Sequence, residues 1–390
     1  MKTTGDQQLV RRINRSVVLR LLRARPGLSR ARLASESGLT KSTVSALVRE
    51  LIDERWLSEA GAAVNDGLGR PSTPLAINDR ARALLGIEIG VETMRAACVS
   101  LLGEVLEAED EPLASNAPAA VCAQAAAMGA RLWRRAAMRG LELSGIGVGV
   151  PGAVEEASGI VRFAPNLGWR QVDLQPGLAA GFSGAGMPPV PLRLRNEADA
   201  AALAEYEFCA GEGEDPLIFV DCDVGVGAGI VLNDRLFTGA QGMAGEIGHT
   251  ILEVGGPPCS CGRRGCAEAF FGSRALGASG DSVRRGGRFL GVLLQNLWTT
   301  FDPRAIVVGG SSCVRHPDFL PAAIETVRAY AEAAGMPPPV VRAARHGLLA
   351  PAVGAAALAL HEALRPLHAA TTAHAAALNP ARLRTAIGAA

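Results

Sequence analysis

The sequence predicts an α/β protein in which a small helical head precedes a larger body, and three observations lead to this interpretation. Apolar residues recur at helical spacing from residue 8 to residue 52. From Leu84 onward, glycine-containing strands with alternating apolar residues are followed by alanine-rich helices, a pattern typical of α/β domains. The charge changes sign at the same place, because residues 1–78 carry 13 Lys and Arg against 7 Asp and Glu, whereas the remainder carries a net charge of −5.

Length and composition exclude several classes of protein. A chain of 390 residues has room for two or three domains of about 150 residues each. With 48% hydrophobic and 20% charged residues, the chain is neither disordered nor fibrous. We find no apolar run of the roughly 18 residues that span a bilayer, and the polar, basic N-terminus lacks the apolar stretch of a signal peptide. We therefore expect a cytoplasmic protein without membrane association.

The head reads as three helices in its first half. Residues 8–24 form an amphipathic helix, which Pro26 and Gly27 end. Ser29 is placed to cap a second helix over Arg30–Ser37. Thr40 is placed to cap a third, whose apolar residues form one stripe.

The turn between the second and third helices has the features of a helix-turn-helix. Ala34 lets the two helices approach closely, Gly38 tolerates a positive φ in the turn, and Val44 faces the shared core. A hairpin should follow, with Trp56 and Leu57 leading into it and its second strand returning through residues 75–77. Its tip, over residues 67–71, would form a wing.

These elements predict that residues 1–78 are a winged helix-turn-helix domain that binds operator DNA. The net charge of +6 favours a polyanionic partner. A small protein-interaction module is the alternative that this pattern leaves open. The side chains predicted to contact bases or phosphates in the grooves are Lys41, Ser42, Ser45 and Arg49 on the third helix and Arg70 at the wing tip.

Two glycine-rich strands are the first features of the body that bear on its function. Residues 146–151 read IGVGVP, and residues 220–231 read VDCDVGVGAGIV. The second does not fit a dinucleotide-binding loop, because its glycines alternate and an apolar strand continues where a helix should begin. We interpret it as a β-hairpin whose glycines allow something to approach the backbone closely.

A Cys/His cluster gives the strongest local signal. His249 precedes Cys259 by ten residues, and Cys261 and Cys266 complete a set of three thiols and one imidazole. This set fills all four positions of a tetrahedral ion, so it predicts one structural zinc per chain and leaves no open position for catalysis. Nearby polar residues could bind sugar hydroxyls, although their spacing alone favours ordinary surface carboxylates over a sugar site. They are Asn196, Glu197, Glu246, His249 and Glu268.

The order of motifs in the body resembles that of the ROK family of repressors, open reading frames and sugar kinases. The head and the stretch GRPSTPLAIN at 69–78 resemble those of ROK repressors, particularly the branch that regulates xylose operons. The matching stretches are GVGVPG (147–152), APNLGW (164–169), NEADAAALAE (196–205), AGEIGH (244–249), CSCGRRGCAE (259–268), VVGG (307–310) and VGAAALAL (353–360).

The resemblance implies a two-lobed, actin-like sugar-kinase fold over residues 84–365, with a sugar between the lobes and the zinc bracing its binding loop. Carried over to this chain, Asn196, Glu246, His249 and Glu268 would contact sugar hydroxyls, with Asn166 nearby. It also implies a homodimer or higher homo-oligomer. Residues 366–390 lack apolar periodicity and are expected to form a mobile tail.

Departures from the family pattern decide between kinase and regulator. The kinases carry Asp-x-Gly-Gly-Thr where this chain has residues 88–92, EIGVE, and Gly-Thr-Gly where it has residues 223–225, DVG. Glu92 and Asp223 would repel the ATP phosphates. The base, Asp in the kinases, is Glu197. A shortened stretch between Cys266 and Gly309, about 40 residues long, further distinguishes the chain.

We therefore expect a sugar-responsive transcriptional regulator that is not an enzyme and that represses carbohydrate-utilisation genes. Two dimer-related heads would bind an inverted repeat, and sugar-driven closure would change their spacing. Two alternatives remain: a sugar kinase with a fused DNA-binding head, and a regulator that no longer binds sugar.

Overall fold

The computed structural model describes residues 7–59, 73–155, 158–209, 213–240, 242–277 and 279–366. The predictions for Arg70, for the wing tip at 67–71 and for the tail beyond residue 366 lie outside these residues.

The head contains the predicted helix-turn-helix. Ser29 caps the second helix, Thr40 caps the third, and Gly38 ends the second with a φ of 71°. Ala34 and Val44 are buried in the shared core, as predicted. A two-stranded antiparallel sheet pairs Leu57 with Ile77, where the predicted hairpin begins and returns. The elements are α1 (Gln7–Ala24), α2 (Arg30–Ser37), α3 (Lys41–Asp53), β1 (Leu57–Glu59) and β2 (Leu75–Ile77).

The first lobe of the body is built on a five-stranded sheet of order β10-β6-β3-β4-β5. Strands β10, β6 and β3 run parallel, and β4 and β5 continue the sheet antiparallel. Its elements are β3 (Arg82–Ile89), β4 (Thr93–Ser100), β5 (Val105–Pro112), α4 (Pro118–Met138), β6 (Glu142–Val150), the small sheet β7 (Ala153–Val154), β8 (Ile160–Ala164) and β9 (Trp169–Asp173), then α5 (Gln175–Gly184) and β10 (Leu192–Asn196).

The second lobe is built on a four-stranded sheet of order β12-β11-β13-β14. The predicted hairpin over residues 220–231 is present, with β11 and β12 antiparallel. The elements are α6 (Glu197–Glu207), β11 (Leu217–Cys222), β12 (Val226–Val231), α7 (Glu268–Phe271), α8 (Gly280–Phe301), β13 (Ala305–Gly309), α9 (Ser311–Arg315), α10 (Phe319–Ala333), β14 (Val341–Ala343) and α11 (Ala350–Leu364).

Two helices, α6 and α11, lie between the two sheets. The first sheet packs its other face against α4 and α5, and the second packs its other face against α8 and α10. Glycines make this close packing feasible. A Cβ on Gly86 would lie 1.8 Å from the Ala352 carbonyl oxygen of α11, and a Cβ on Gly229 would lie 2.2 Å from the Ala198 carbonyl oxygen of α6.

Helix α11 is strongly apolar. Residues 347–364 satisfy the length and hydropathy of a membrane span, and 61% of that window is buried inside the protein. Helix α11 packs against α6 and against both β3 and β6. Its apolar composition is therefore explained by its place in the core.

The head and the body share one hydrophobic cluster. Val18 and Leu22 of α1 belong to the same buried cluster as Val99 of β4 and Leu360 of α11. Polar contacts reinforce the junction, because Arg82 at the start of the body donates to the Glu54 carbonyl oxygen at 2.8 Å. The head is thus packed directly on the first lobe.

Candidate functional site: a cleft with a Cys/His cluster

The predicted metal ligands converge in the structure. One ligand atom from each of His249, Cys259, Cys261 and Cys266 can be chosen so that all lie within 4.8 Å of one another. The Cys261 and Cys266 sulfurs are 3.7 Å apart, and His249 Nδ1 is 3.6 Å from the Cys259 sulfur. Tetrahedral zinc with bonds of about 2.0–2.3 Å places its ligand atoms about 3.5–3.8 Å apart. The donor set and its spacing therefore fit zinc.

The local chain accounts for this convergence. His249 ends a 3-10 turn, and Cys266 lies just before α7. Gly265 between them has a φ of 76°, and a Cβ there would lie 1.7 Å from the Glu253 carbonyl oxygen. Burial opposes ionisation of the Cys261 thiol, but hydrogen bonding from Arg263 lowers its pKa to about 7. That shift favours the thiolate, which is the form that binds metal.

The Cys/His cluster also positions acidic side chains toward the cleft. While His249 Nδ1 faces the thiols, its Nε2 lies 3.9 Å from a Glu246 carboxylate oxygen. Glu268 accepts a hydrogen bond from Ser260 Oγ at 2.8 Å and another from the Val226 amide at 3.4 Å. The loop that carries the thiols thus holds Glu268 against the start of β12.

Glu268 faces a gap that Gly225 keeps open. A Cβ at Gly225 would lie 3.5 Å from a Glu268 carboxylate oxygen and 3.6 Å from the Asn166 side-chain nitrogen. Asn166 is in the 3-10 turn Pro165–Leu167 of the first lobe. The structure therefore brings these two predicted sugar contacts together from opposite lobes.

Asn196 and Glu197 stand at the N-terminus of α6. Asn196 caps the helix, because its Oδ1 accepts from the amides of Ala198 and Asp199 at 2.8 and 3.2 Å. Its Nδ2 donates to the Gly152 carbonyl oxygen at 2.9 Å. These bonds fix the first turn of α6, so Asn196 holds Glu197 at the base of the cleft.

The base of the cleft, which we call the cleft floor, consists of Glu88, Glu197, Asp221 and Asp223, with Arg95 among them. Glu88 accepts two hydrogen bonds from Arg95 Nη1 at 2.9 and 3.1 Å. Burial raises the pKa of Glu88 to about 7 despite this partner. Burial, with the neighbouring Asp221, also raises the pKa of Glu197 well above its ordinary value.

Two floor oxygens have no hydrogen-bond partner among the described residues, Glu197 Oε2 and Asp221 Oδ1. Asp221 is only 7% exposed, and burial and the charge of Asp223 raise its pKa well above its ordinary value. Asp223 differs, because its Oδ1 accepts from Ser311 Oγ at 2.6 Å and from the Val224 amide at 2.9 Å. The floor therefore gathers more carboxyl groups than Arg95 compensates, and the raised pKa values of Glu88, Glu197 and Asp221 favour their protonated forms.

The comparison with known families decides the assignment of the chain. The ROK family profile matches residues 84–281 and 277–362. The chain belongs to the ROK family. The two matched segments overlap at residues 277–281, at the start of α8, within the stretch between Cys266 and Gly309 that the sequence predicts to be short. A second profile, the IclR helix-turn-helix domain, matches residues 17–61.

Curated and solved relatives of this ROK protein include both regulators and kinases. It is 31% identical to the xylose repressor of Bacillus subtilis over 81% of this chain and 86% of that protein. A solved ROK family transcriptional regulator, a homologue of the E. coli MLC protein, superposes with a TM-score of 0.73 at 23% identity, covering 92% and 98% of the two chains. A Streptomyces griseus ROK glucokinase solved with glucose and AMPPNP gives a TM-score of 0.61 at 27% identity, covering 71% and 98%.

The head of this ROK protein presents the predicted DNA-facing side chains as follows. Lys41, Ser42 and Arg49 are exposed on α3, and Ser45 is half-buried. The apolar stripe of the same helix, which includes Val44 and Val48, faces the core. The polar face of α3 is therefore directed away from the hydrophobic core of the head.

Sequence reasoning missed several residues of the cleft. Arg95 lies opposite Glu88 in the antiparallel register of β3 and β4, so strand pairing would have revealed it. Ser311, the first residue of α9, reaches Asp223 just after β13, and only the parallel pairing of β11 with β13 brings these two together. Glu92, expected to face phosphates, instead pairs with Arg274 of the other lobe at 3.1 Å.

Proposed function

We propose that this ROK protein is a sugar-responsive repressor of carbohydrate-utilisation genes, released from its operator when sugar binds in the cleft. The single observation that carries the proposal is the union of a helix-turn-helix head with a kinase-like cleft whose floor gathers buried acidic side chains. Its relatives include repressors named for xylose, which supports a sugar effector. Operator DNA in the cytoplasm is its other partner.

The cleft floor does not catalyse phosphoryl transfer in this proposal. A kinase stabilises the transferred phosphoryl group with positive charge and hydrogen-bond donors. Here Glu88, Asp221 and Asp223 occupy that region, and the charge of Arg95 is already engaged by Glu88. Phosphate oxygens brought to this floor would meet carboxylates, which repel them. Sugar binding is therefore retained without catalysis.

The sugar contacts are proposed from the side chains that line the cleft. Glu246, Glu268 and the Nε2 of His249 approach from the second lobe, and Asn166 approaches from the first. Glu197 offers an unpartnered carboxylate oxygen at the floor. Asn196 acts chiefly by fixing the first turn of α6, since its Oδ1 caps the helix. These groups supply acceptors and donors for a ring of hydroxyls.

One zinc ion per chain, held by His249, Cys259, Cys261 and Cys266, is proposed to brace this side of the cleft. Its contribution is structural, since four protein ligands leave no position for substrate. The same loop carries Glu268 and His249, so metal loss should disturb sugar binding. Cys261→Ser should lose the metal by elemental analysis and weaken sugar binding at least tenfold. Cys313→Ser, a thiol outside the cluster, is the matched control and should retain both.

The DNA contacts are proposed to come from Lys41, Ser42, Ser45 and Arg49 on α3, with Arg70 at the wing tip. A single helix-turn-helix provides few contacts, so two heads of a homodimer would bind an inverted repeat. Lobe closure around the sugar would alter the spacing of the heads. A shift from mostly bound to mostly free needs a discrimination of about 5 kcal/mol between the two forms.

The decisive experiment measures sugar and DNA binding on the same full-length protein. A duplex is first selected by the protein from a random 30-bp library. Calorimetry then tests D-xylose, D-glucose, D-mannose, D-fructose and N-acetylglucosamine, each with and without ATP and with and without that duplex. We expect one sugar to bind without ATP consumption and to bind at least tenfold more weakly in the presence of the duplex, by reciprocity. Arg49→Ala should weaken duplex binding by about 1–3 kcal/mol without changing sugar affinity.

Each contrary result identifies a different failure. ATP turnover with any of the sugars would establish the kinase alternative. Duplex binding without sugar binding would establish the regulator that no longer binds sugar. Failure to select any duplex would remove the DNA-binding head from the proposal, whatever the sugars do.

A further inference from the structure

Helix α6 connects the cleft to the head. It begins at Glu197 on the cleft floor and ends at Glu207, where Phe208 caps it. Its 11 residues give it a length of about 16 Å. The proposed sugar contacts and the DNA-binding head therefore meet opposite ends of one helix.

A single arginine of the head contacts the C-terminal end of α6. Arg23, in the last turn of α1, donates from Nη1 to the Leu101 carbonyl oxygen and from Nη2 to the Glu207 carbonyl oxygen. Its guanidinium also lies over the Phe208 ring, 5.8 Å from the ring centroid. A cation at this end of the helix is favoured by the helix dipole and by the unpaired carbonyls of the last turn. Arg23 thus joins three elements, α1, α6 and the turn after β4.

The same end of α6 is fastened to α11. His361 Nδ1 and a Glu207 carboxylate oxygen lie 2.6 Å apart, and Arg365 Nη2 lies 3.3 Å from the Tyr206 hydroxyl. Burial alone would raise the pKa of Glu207, but His361, Arg365 and Arg23 lower it to about 2. The C-terminal end of α6 is therefore held by ionic and hydrogen-bonded partners at neutral pH.

Close backbone packing makes α6 move as one unit. A Cβ on Gly354 would lie 1.7 Å from the Ala200 carbonyl oxygen, so α11 touches the α6 backbone directly. On its other side, Gly229 of β12 approaches Ala198 with similar closeness. Packed elements of this kind shift as rigid bodies, because the interface has no room for gradual deformation. A displacement at Glu197 is then transmitted to Phe208.

We propose that Arg23 is the positioning residue through which sugar binding at the N-terminus of α6 reorients the DNA-binding head. This inference rests on the proposed function, since it requires both a sugar and an operator. The contact that would transmit the movement is the pair of hydrogen bonds that Arg23 donates to two carbonyl oxygens. These bonds connect the end of α1 to the end of α6. When closure moves α6, α1 follows, and α3 moves with α1 because they share one core.

The test uses Arg23→Lys and Arg23→Gln in the full-length protein, with Arg25→Gln as the matched control. Lysine keeps the charge but lacks the planar fork that reaches two carbonyls at once. Arg25 lies in the linker just after α1 and pairs with Glu36, which also belongs to the head. For each protein, affinity for the selected duplex is measured with and without the tightest-binding sugar of the calorimetric panel.

We expect that sugar weakens duplex binding at least tenfold in the wild type and in Arg25→Gln. In both Arg23 variants the effect should fall below threefold, while sugar affinity measured without DNA stays within twofold of the wild type. A residue that only stabilised the fold would lower both affinities or neither, and would leave their ratio unchanged.

A measurement on the wild type covers the case in which the Arg23 variants fail to fold. Hydrogen exchange followed by mass spectrometry should show that the same sugar changes exchange at both ends of α6 and in the last turn of α1. Sugar-dependent protection confined to the cleft would overturn the proposal, as would Arg23 variants that keep the tenfold effect. If the wild-type protein itself shows no effect of sugar on DNA binding, the proposed function and this coupling fail together.

Discussion

The two ends of α6 are both buried and both acidic, yet their carboxylates behave in opposite ways. At the N-terminal end, Glu197 and Asp221 each have a carboxylate oxygen without a hydrogen-bond partner among the described residues. At the C-terminal end, Glu207 interacts with His361, Arg365 and Arg23. Asp221 and Glu207 are 7% and 6% exposed, so the number of cationic partners makes the difference between them.

The pKa values express this difference directly. Burial raises the pKa of Glu88 to about 7, although Arg95 partly opposes the shift. At the other end, cationic partners overcome burial and lower the pKa of Glu207 to about 2. Uncompensated buried charge destabilises a fold, so such groups persist where function requires them. The comparison therefore supports the proposed ligand binding at one end of α6 and indicates permanent attachment at the other.

The largest effect is expected from a substitution that disrupts the C-terminal, attached end of α6. Glu207→Gln leaves His361 without its carboxylate partner and leaves Arg365 with Asp234 alone, at 3.3 Å. This loss should cost about 3 kcal/mol of unfolding free energy at pH 7. Because the pKa of Glu207 is lowered in the folded protein, this contribution is present above its unfolded value and is lost as the pH falls toward about 2. Urea unfolding at several pH values measures both the cost and its disappearance.

Glu142 provides the control for this substitution. It pairs with Arg55 at 2.7 Å, and both side chains are nearly half exposed. Exposed pairs of this kind contribute less than about 1 kcal/mol. If Glu207→Gln were no more costly than Glu142→Gln, the attached end would not differ from an ordinary surface pair.

The next expected effect is a stabilisation, at the N-terminal end of α6, and it would sharpen the contrast between the two ends. Asp221→Asn removes a buried, repelled charge and should stabilise the protein by about 1–3 kcal/mol at pH 8. The groups that face Asp221 are Asp223, Glu88 and Glu197, with Arg95 as the cation. Asp223→Asn is the comparison and should stabilise less, because it relieves the same repulsion but removes a carboxylate that accepts two hydrogen bonds.

The pH dependence of this gain follows from the direction of the shift. Since the pKa of Asp221 is raised in the folded state, the folded protein binds more protons than the unfolded chain above the unfolded pKa. Wild-type stability therefore falls with rising pH in that window, and the variant escapes this loss. Denaturation curves at pH 5 and pH 8 should show a gain that grows with pH. A stabilisation by Asp221→Asn that is equal at the two pH values, or greater at pH 5, would contradict the conclusion that the acidic groups of the cleft floor are uncompensated.

The local elements of this protein were predictable from sequence, whereas the contrast between the ends of α6 was not. Ser29, Gly38 and Thr40 set the head helices through short-range bonds, which periodicity and capping rules capture. The convergence of the four candidate metal ligands was also predictable, because three Cys and one His at such short spacing are typical of a metal site.

Long-range pairing accounts for what sequence reasoning missed. Arg23 and Glu207 are 184 residues apart, and no local pattern joins them. The alternating glycines of β12 indicated close approach, but only the fold shows that the α6 backbone is what approaches Gly229. Residues whose role depends on which elements meet are invisible until the topology is known.

The smallest effect is expected for an ion pair between the two lobes, at what we call the mouth of the cleft. Glu92 and Arg274 pair across the two lobes at 3.1 Å, but their side chains are 59% and 64% exposed. Water and salt screen such a pair, so Glu92→Gln should change the unfolding free energy by less than about 1 kcal/mol, and less still in 1 M salt. Asp281→Asn, which removes the exposed partner of Arg284 within the second lobe, is the matched control. A loss of several kcal/mol in Glu92→Gln, absent from the control, would show that the lobes are held together at the mouth. Closure would then depend on that contact as well as on α6, and the division of roles between its two ends would be incomplete.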